Sequence, residues 1–100
     1  MKSSAEKEIK NWRDQIDRVD RDLVRLLNQR TKFAIEIGKI KERYRIDIYD
    51  PVREEEVIYN VQSVTQGPLT KQAMQRLFER IIDETRRSER EFRAGLLPEE

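Results

Sequence analysis

The chain has 100 residues, enough for one domain with a modest core. It contains no cysteine and no histidine. That excludes a disulfide framework and a thiolate or imidazole metal site, and it removes the commonest general base. Twenty-one basic and 20 acidic residues nearly cancel, leaving a formal charge of +1, so there is no bulk drive toward nucleic acid or an anionic membrane. The segment 1–10 is polar and mixed in charge, unlike a signal peptide, and no apolar run approaches the ~20 residues of a membrane span. A cytoplasmic protein with no membrane or nucleic-acid partner is expected.

The periodicity predicts three helices and no strand. The first runs from about Ser4 to Arg43. Its apolar seam steps by three and four through Ile9, Trp12, Ile16, Val19, Leu23 and Leu26, then Phe33, Ile37, Ile40 and Tyr44. Gly38 is the weak point of this helix. Residues 44–49 form a connector. Asp50 suits an N-cap and Pro51 the first helical position, so a second helix starts there, with Glu54, Glu55 and Glu56 favouring its dipole. It is expected to end near Gln66, before Gly67-Pro68. Thr70 caps a third helix to about Arg93, with an apolar stripe of Ala73, Met74, Leu77, Phe78, Ile81, Ile82 and Phe92. The domain is expected to fill residues 1–100, with its core over 9–93 and a loose tail at 94–100.

About forty helical residues span ~60 Å, against a radius of gyration of ~13 Å for a compact domain of this size. Two shorter helices cannot cover that seam, so a partner must, and a symmetric homodimer is the simplest closed solution.

Cations interrupt the seam. Arg30 takes a seam position and Lys41 follows Ile40. A buried guanidinium or ammonium is costly unless an anion meets it. Arg30 and Lys41 are eleven residues apart, close to three turns, so they share a face and lie ~16 Å apart along the axis. Arg13 lies ~25 Å before Arg30 and about a quarter turn off that face, poorly placed to join the same pocket but within reach of a partner's if the two helices pack antiparallel. On the third helix Thr85 and Glu89 stand one turn apart on one face. Asp50, Arg53 and Glu54 open the second helix. Each also has an ordinary reading. Arg30 and Lys41 can snorkel to water. Asp50 can be only a cap and Glu54 a dipole charge. Arg13 can pair with Asp17, Arg53 with Glu56, and Glu89 with Arg86 or Arg93. Thr85 can back-bond to its own turn.

Taken in order, the segments Trp12-Arg13-Asp14-Gln15-Ile16-Asp17-Arg18-Val19-Asp20, Leu26-Leu27-Asn28-Gln29-Arg30, Ile37-Gly38-Lys39-Ile40-Lys41, Tyr49-Asp50-Pro51-Val52-Arg53-Glu54, Gly67-Pro68-Leu69 and Phe78-Glu79-Arg80-Ile81-Ile82 resemble the all-α (AroQ-class) chorismate mutases. The resemblance implies an all-α, intertwined homodimer of three-helix protomers that converts chorismate to prephenate in aromatic amino-acid biosynthesis, without cofactor or metal. It implies that Arg30, Arg53 and, from the other protomer, Arg13 bind the substrate carboxylates. It implies that Lys41 contacts the ether oxygen and a carboxylate, and that Asp50 and Glu54 hold the hydroxyl region. Thr85 stands where the family usually has serine, and Glu89 where many members have glutamine. Lys41 and Glu89 are the expected catalytic donors. An intramolecular [3,3] rearrangement needs no nucleophile, so the missing histidine and cysteine are no obstacle. Three alternatives stand beside this reading: an isochorismate pyruvate lyase on the same fold, although the Asp50–Glu54 stretch, Thr85 and Glu89 look more like mutase; a non-catalytic helical dimerisation module, which explains the seam but not Arg30 within it; and a domain cut from a fused aromatic-pathway enzyme.

Overall fold

The computed structural model describes residues 2–97, with the side chain of Lys2 excepted; Met1 and Pro98 to Glu100, including the end of the expected tail, lie outside the described residues. Three helices follow in order: α1 (Lys2–Arg43), α2 (Pro51–Val64) and α3 (Lys71–Arg93). The all-α expectation holds, and among the described residues there is no strand. Among the described residues no helix is long and apolar enough to cross a membrane.

The chain divides into two units, Met1–Lys32 and Phe33–Glu100. The first is the N-terminal part of α1. Its large apolar side chains, Ile9 to Leu27, are all 40–68% exposed. Surface pairs such as Lys10–Asp14 (3.0 Å) and Arg25–Asp22 (3.9 Å) decorate this helix, and pairs this exposed contribute little.

The second unit holds the end of α1, the connector, α2 and α3. Helices α2 and α3 pack against each other. Gln62 ties them at their near ends, donating to the Lys71 carbonyl (3.1 Å) and to Gln75 Oε1 (3.3 Å). Asp50 caps α2 by accepting from the Arg53 N–H at 3.1 Å, and Thr70 caps α3 by accepting from Ala73 N–H at 3.0 Å, as their positions predict. Helix α2 stops at Val64, two residues before the expected Gln66. The terminator is Thr65, which turns extended (φ −70°, ψ 130°). Its hydroxyl donates to the Leu69 carbonyl at 2.8 Å and accepts from Gly67 N–H at 3.4 Å, which organises the turn around the cis Gly67-Pro68 peptide.

Both α1 and α3 end in the same device. After α3, Gly95 adopts φ 77°; its N–H bonds to the Phe92 carbonyl (2.9 Å) and that of Leu96 to Glu91 (2.8 Å). After α1, Arg45 N–H bonds to Glu42 (3.2 Å) and Ile46 N–H to Lys41 (2.7 Å). These are the paired bonds of a Schellman motif. The left-handed residue after α1, however, is Arg45, at φ 58°. A side chain there crowds its own carbonyl, at about 1–2 kcal/mol.

Among the described residues only Gly38, Ile82 and Thr85 are buried. Arg45→Gly removes the strain after α1 and is expected to raise the unfolding free energy by about 0.5–1 kcal/mol, once the greater freedom of glycine in the unfolded chain is set against it. Urea titrations of both proteins at one fixed concentration check this; an unchanged or lower midpoint would show that the cap is not strained.

Candidate active site

Within the second unit, three elements bring polar groups together. Lys41, in the last turn of α1, is half-buried, and its Nζ donates to the Ile48 carbonyl of the connector at 3.2 Å. An ammonium has three donors, so this bond fixes the side chain and leaves two for a ligand. The connector then delivers Tyr49 and the cap residue Asp50. In the first turn of α2, Glu54 points to α3 and forms a half-buried ion pair with Arg86. Arg86 lies over the Tyr49 ring at 4.9 Å and also reaches Asp83 Oδ1 at 3.7 Å. Connector, α2 and α3 are thus joined through one guanidinium.

Arg53 stands next to Glu54. It pairs with Glu56 at the surface, the ordinary reading of its spacing. Both partners are 59% exposed, so the guanidinium can leave this pair at small cost when an anion offers a better one.

Further along α3, Thr85 is buried and donates to the Ile81 carbonyl at 2.8 Å. This is the back-bonding that a threonine inside a helix ordinarily makes. One turn on, Glu89 lies against Gly38 of α1. Arg93 Nη2 donates to the Gly38 carbonyl at 2.9 Å, and Arg93 Nε approaches Glu42 Oε2 at 3.5 Å. Lys39 Nζ sits 5.1 Å from the Phe92 ring centroid. The second unit therefore carries Lys41, Asp50, Arg53, Glu54, Thr85 and Glu89 on elements that touch one another. Arg13 and Arg30 belong to the first unit, where Arg13 is exposed and Arg30 half-buried.

A groove of about 650 Å³ between α2 and α3 is lined by Glu54, Glu55, Glu79 and Asp83 around Ile58 and Ile82. Its sign is wrong for an anionic ligand, and neither Lys41 nor Arg53 lines it. Among the described residues no group of acidic side chains is placed to hold a metal ion.

Residues 12–90 match the chorismate mutase type II family. The chain belongs to that family. The matched stretch contains every candidate residue from Arg13 to Glu89. The chain is 32% identical over 94 residues to a bifunctional chorismate mutase/prephenate dehydratase of Aquifex aeolicus, covering 90% of this chain and 26% of that protein. It is 36% identical over 72 residues to the bifunctional chorismate mutase/prephenate dehydratase of Neisseria gonorrhoeae, covering 72% of this chain and 19% of that one. The chain thus spans about a quarter or less of these curated relatives. Among solved structures, chorismate mutase (form II) of Thermus thermophilus superposes with a TM-score of 0.81 at 31% identity, covering 83% of this chain and 94% of that one.

Sequence reasoning misses three contacts around these candidate residues. Spacing along α3 makes Arg86 a surface partner for Glu89, yet it binds Glu54, 32 residues away. Periodicity makes Gly38 only a weak point in α1. The Ile48 carbonyl, a backbone group, has no signature in sequence at all. The half-buried position of the Glu54–Arg86 pair, with side chains 28% and 20% exposed, gives it weight. Arg86→Ala is expected to cost about 1–2 kcal/mol of stability, between exposed and buried pairs. A double-mutant cycle with Glu54→Gln at fixed protein concentration should show a coupling of about 1 kcal/mol. Additive effects would mean that the pair contributes nothing of its own.

Proposed function

We propose that this chain is a chorismate mutase, an isomerase that converts chorismate to prephenate by an intramolecular [3,3] rearrangement, and that it works as a homodimer with chorismate bound between protomers. The observation that carries this reading is the family match over residues 12–90, which spans every candidate side chain. In the rearrangement the ether C–O bond breaks as a C–C bond forms, with no nucleophile, proton acceptor or cofactor required. What remains for the protein is to hold the dianion in its compact conformer and to stabilise charge growing on the ether oxygen.

The residues divide along those two tasks. Arg30 and Arg53 bind carboxylates, and Arg13 reaches in from the other protomer. Asp50 and Glu54 hold the hydroxyl region, and the Thr85 hydroxyl adds a polar contact. Lys41, already fixed by the Ile48 carbonyl, and Glu89 donate to the ether oxygen. These donors matter most in the transition state, where that oxygen carries most charge. The dimer is supported by the surface of α1: Trp12 is 68% and Phe33 62% exposed, and so much apolar area calls for a second copy.

Loss of chorismate absorbance on adding purified protein, with prephenate identified as product, tests the activity. Release of pyruvate from isochorismate would make the chain a lyase, and inactivity on both would make it a helical module. The trans role of Arg13 has its own test. Arg13→Ala and Arg30→Ala are each expected to be inactive. When they are mixed equally under exchange, activity should return to about a quarter of wild type, since half the dimers are mixed and each has one intact pocket. No recovery despite proven exchange, or a compact monomer in equilibrium sedimentation at micromolar concentration, would refute the trans arrangement.

Glu89 adds a pH dependence. A carboxylic acid donates to the ether oxygen and a carboxylate cannot, so activity is lost as the proton leaves. With kcat measured from about pH 5 to 8, the rate should be highest at the acid end and fall as pH rises, and Glu89→Gln, a donor at any pH, should flatten the profile. An unchanged slope in the glutamine variant would remove Glu89 as the proton-dependent donor.

A further inference from the structure

Gly38 is the one buried residue in the α1 portion of the second unit. It sits inside a helix, where glycine is the weakest choice short of proline. Its backbone is ordinary helix, so conformation does not call for glycine. Space does. A Cβ at this position would lie 3.3 Å from Glu89 Oε2, 3.8 Å from Glu89 Cγ and 3.9 Å from Glu89 Cβ. All three nearest atoms belong to the same side chain. The first is tighter than an ordinary contact of a Cβ, so the carboxyl would have to give way by a few tenths of an ångström. The backbone on either side has little freedom to give way instead. Arg93, one turn beyond Glu89, clamps the Gly38 carbonyl at 2.9 Å, and Lys39 lies over Phe92.

We infer that Gly38 is a positioning residue: its missing side chain forms the seat on which the Glu89 carboxyl rests, and so sets where that carboxyl presents its donor. The inference rests on the reading of Glu89 as a donor to the ether oxygen. Gly38 itself touches no substrate. Because Glu89 acts mainly in the transition state and the arginines hold the ground state, filling the seat should reduce kcat and leave KM nearly unchanged.

The test compares wild type, Gly38→Ala, Glu89→Ala and the double variant, each checked for helicity and sedimentation. A misplacement of 1 Å can cost 100-fold, so a shift of a few tenths should lower kcat on the order of tenfold in Gly38→Ala. KM should stay within about twofold, and in the Glu89→Ala background the added Gly38→Ala change should alter kcat by less than about twofold. Equal losses with and without the Glu89 side chain would overturn the positioning role, as would wild-type kinetics in Gly38→Ala. Wild-type kcat in Glu89→Ala would instead overturn the donor reading, and this inference with it. If Gly38→Ala fails to fold, vacating the seat in the double variant must restore folding; a double variant that stays unfolded overturns the proposal.

Discussion

An apolar seam with too little to cover it governs this molecule. Helix α1 runs 42 residues without a proline, and its seam side chains, from Ile9 to Tyr44, remain about half exposed or more. With Ile82 the one large apolar side chain buried among the described residues, the hydrophobic effect has not yet acted on most of the surface that the sequence dedicates to it. The stability of the folded chain is therefore tied to whatever meets α1, and in the proposed dimer it becomes a property of two copies. In that proposal Arg13, assigned to a substrate carboxylate, lies on the surface that the second copy covers. Association and catalysis then share one set of contacts.

The second unit shows how little apolar packing is needed to place a polar site when hydrogen bonds are used at defined points. Asp50 and Thr70 each satisfy an otherwise unpaired N–H and so fix where α2 and α3 begin. Two Schellman turns fix where α1 and α3 end. Between those points, single polar contacts join the elements: Lys41 to the connector, Glu54 to Arg86, and Arg93 to the Gly38 carbonyl. Local departures from the best helix chemistry coincide with these contacts. A glycine inside α1 costs about 1 kcal/mol relative to alanine, yet it is what allows Glu89 to approach.

Charge is distributed with similar economy. The acidic residues nearest the site have occupations of their own. Asp50 accepts a backbone N–H, and Glu54 is neutralised by Arg86. Lys41, by contrast, donates to a neutral carbonyl, and Arg53 is engaged in an exposed pair that it can leave. An arrangement that pairs Glu54 and leaves Lys41 and Arg53 able to meet a further anion suits a small polyanion, whose own charges complete the site.

Much of this is legible in the sequence because it depends on local rules. Three helices, their caps at Asp50 and Thr70 and the end of α3 follow from periodicity and capping chemistry, which act over a few residues. The end of α2 falls two residues earlier than expected because Gly67-Pro68 is the conspicuous breaker, while the Thr65 hydroxyl acts first. The candidate side chains are legible as polar interruptions of apolar stripes. Their partners are not. That Arg86 serves Glu54 and that Gly38 makes room for Glu89 depends on how helices far apart in sequence cross, and spacing along one helix carries no information about a neighbour 32 or 51 positions away. The sequence by itself determined which surfaces are apolar and where each helix starts. Only the tertiary structure decided which polar groups meet, because a side-chain contact is set by the approach of two backbones, here as close as a missing Cβ permits.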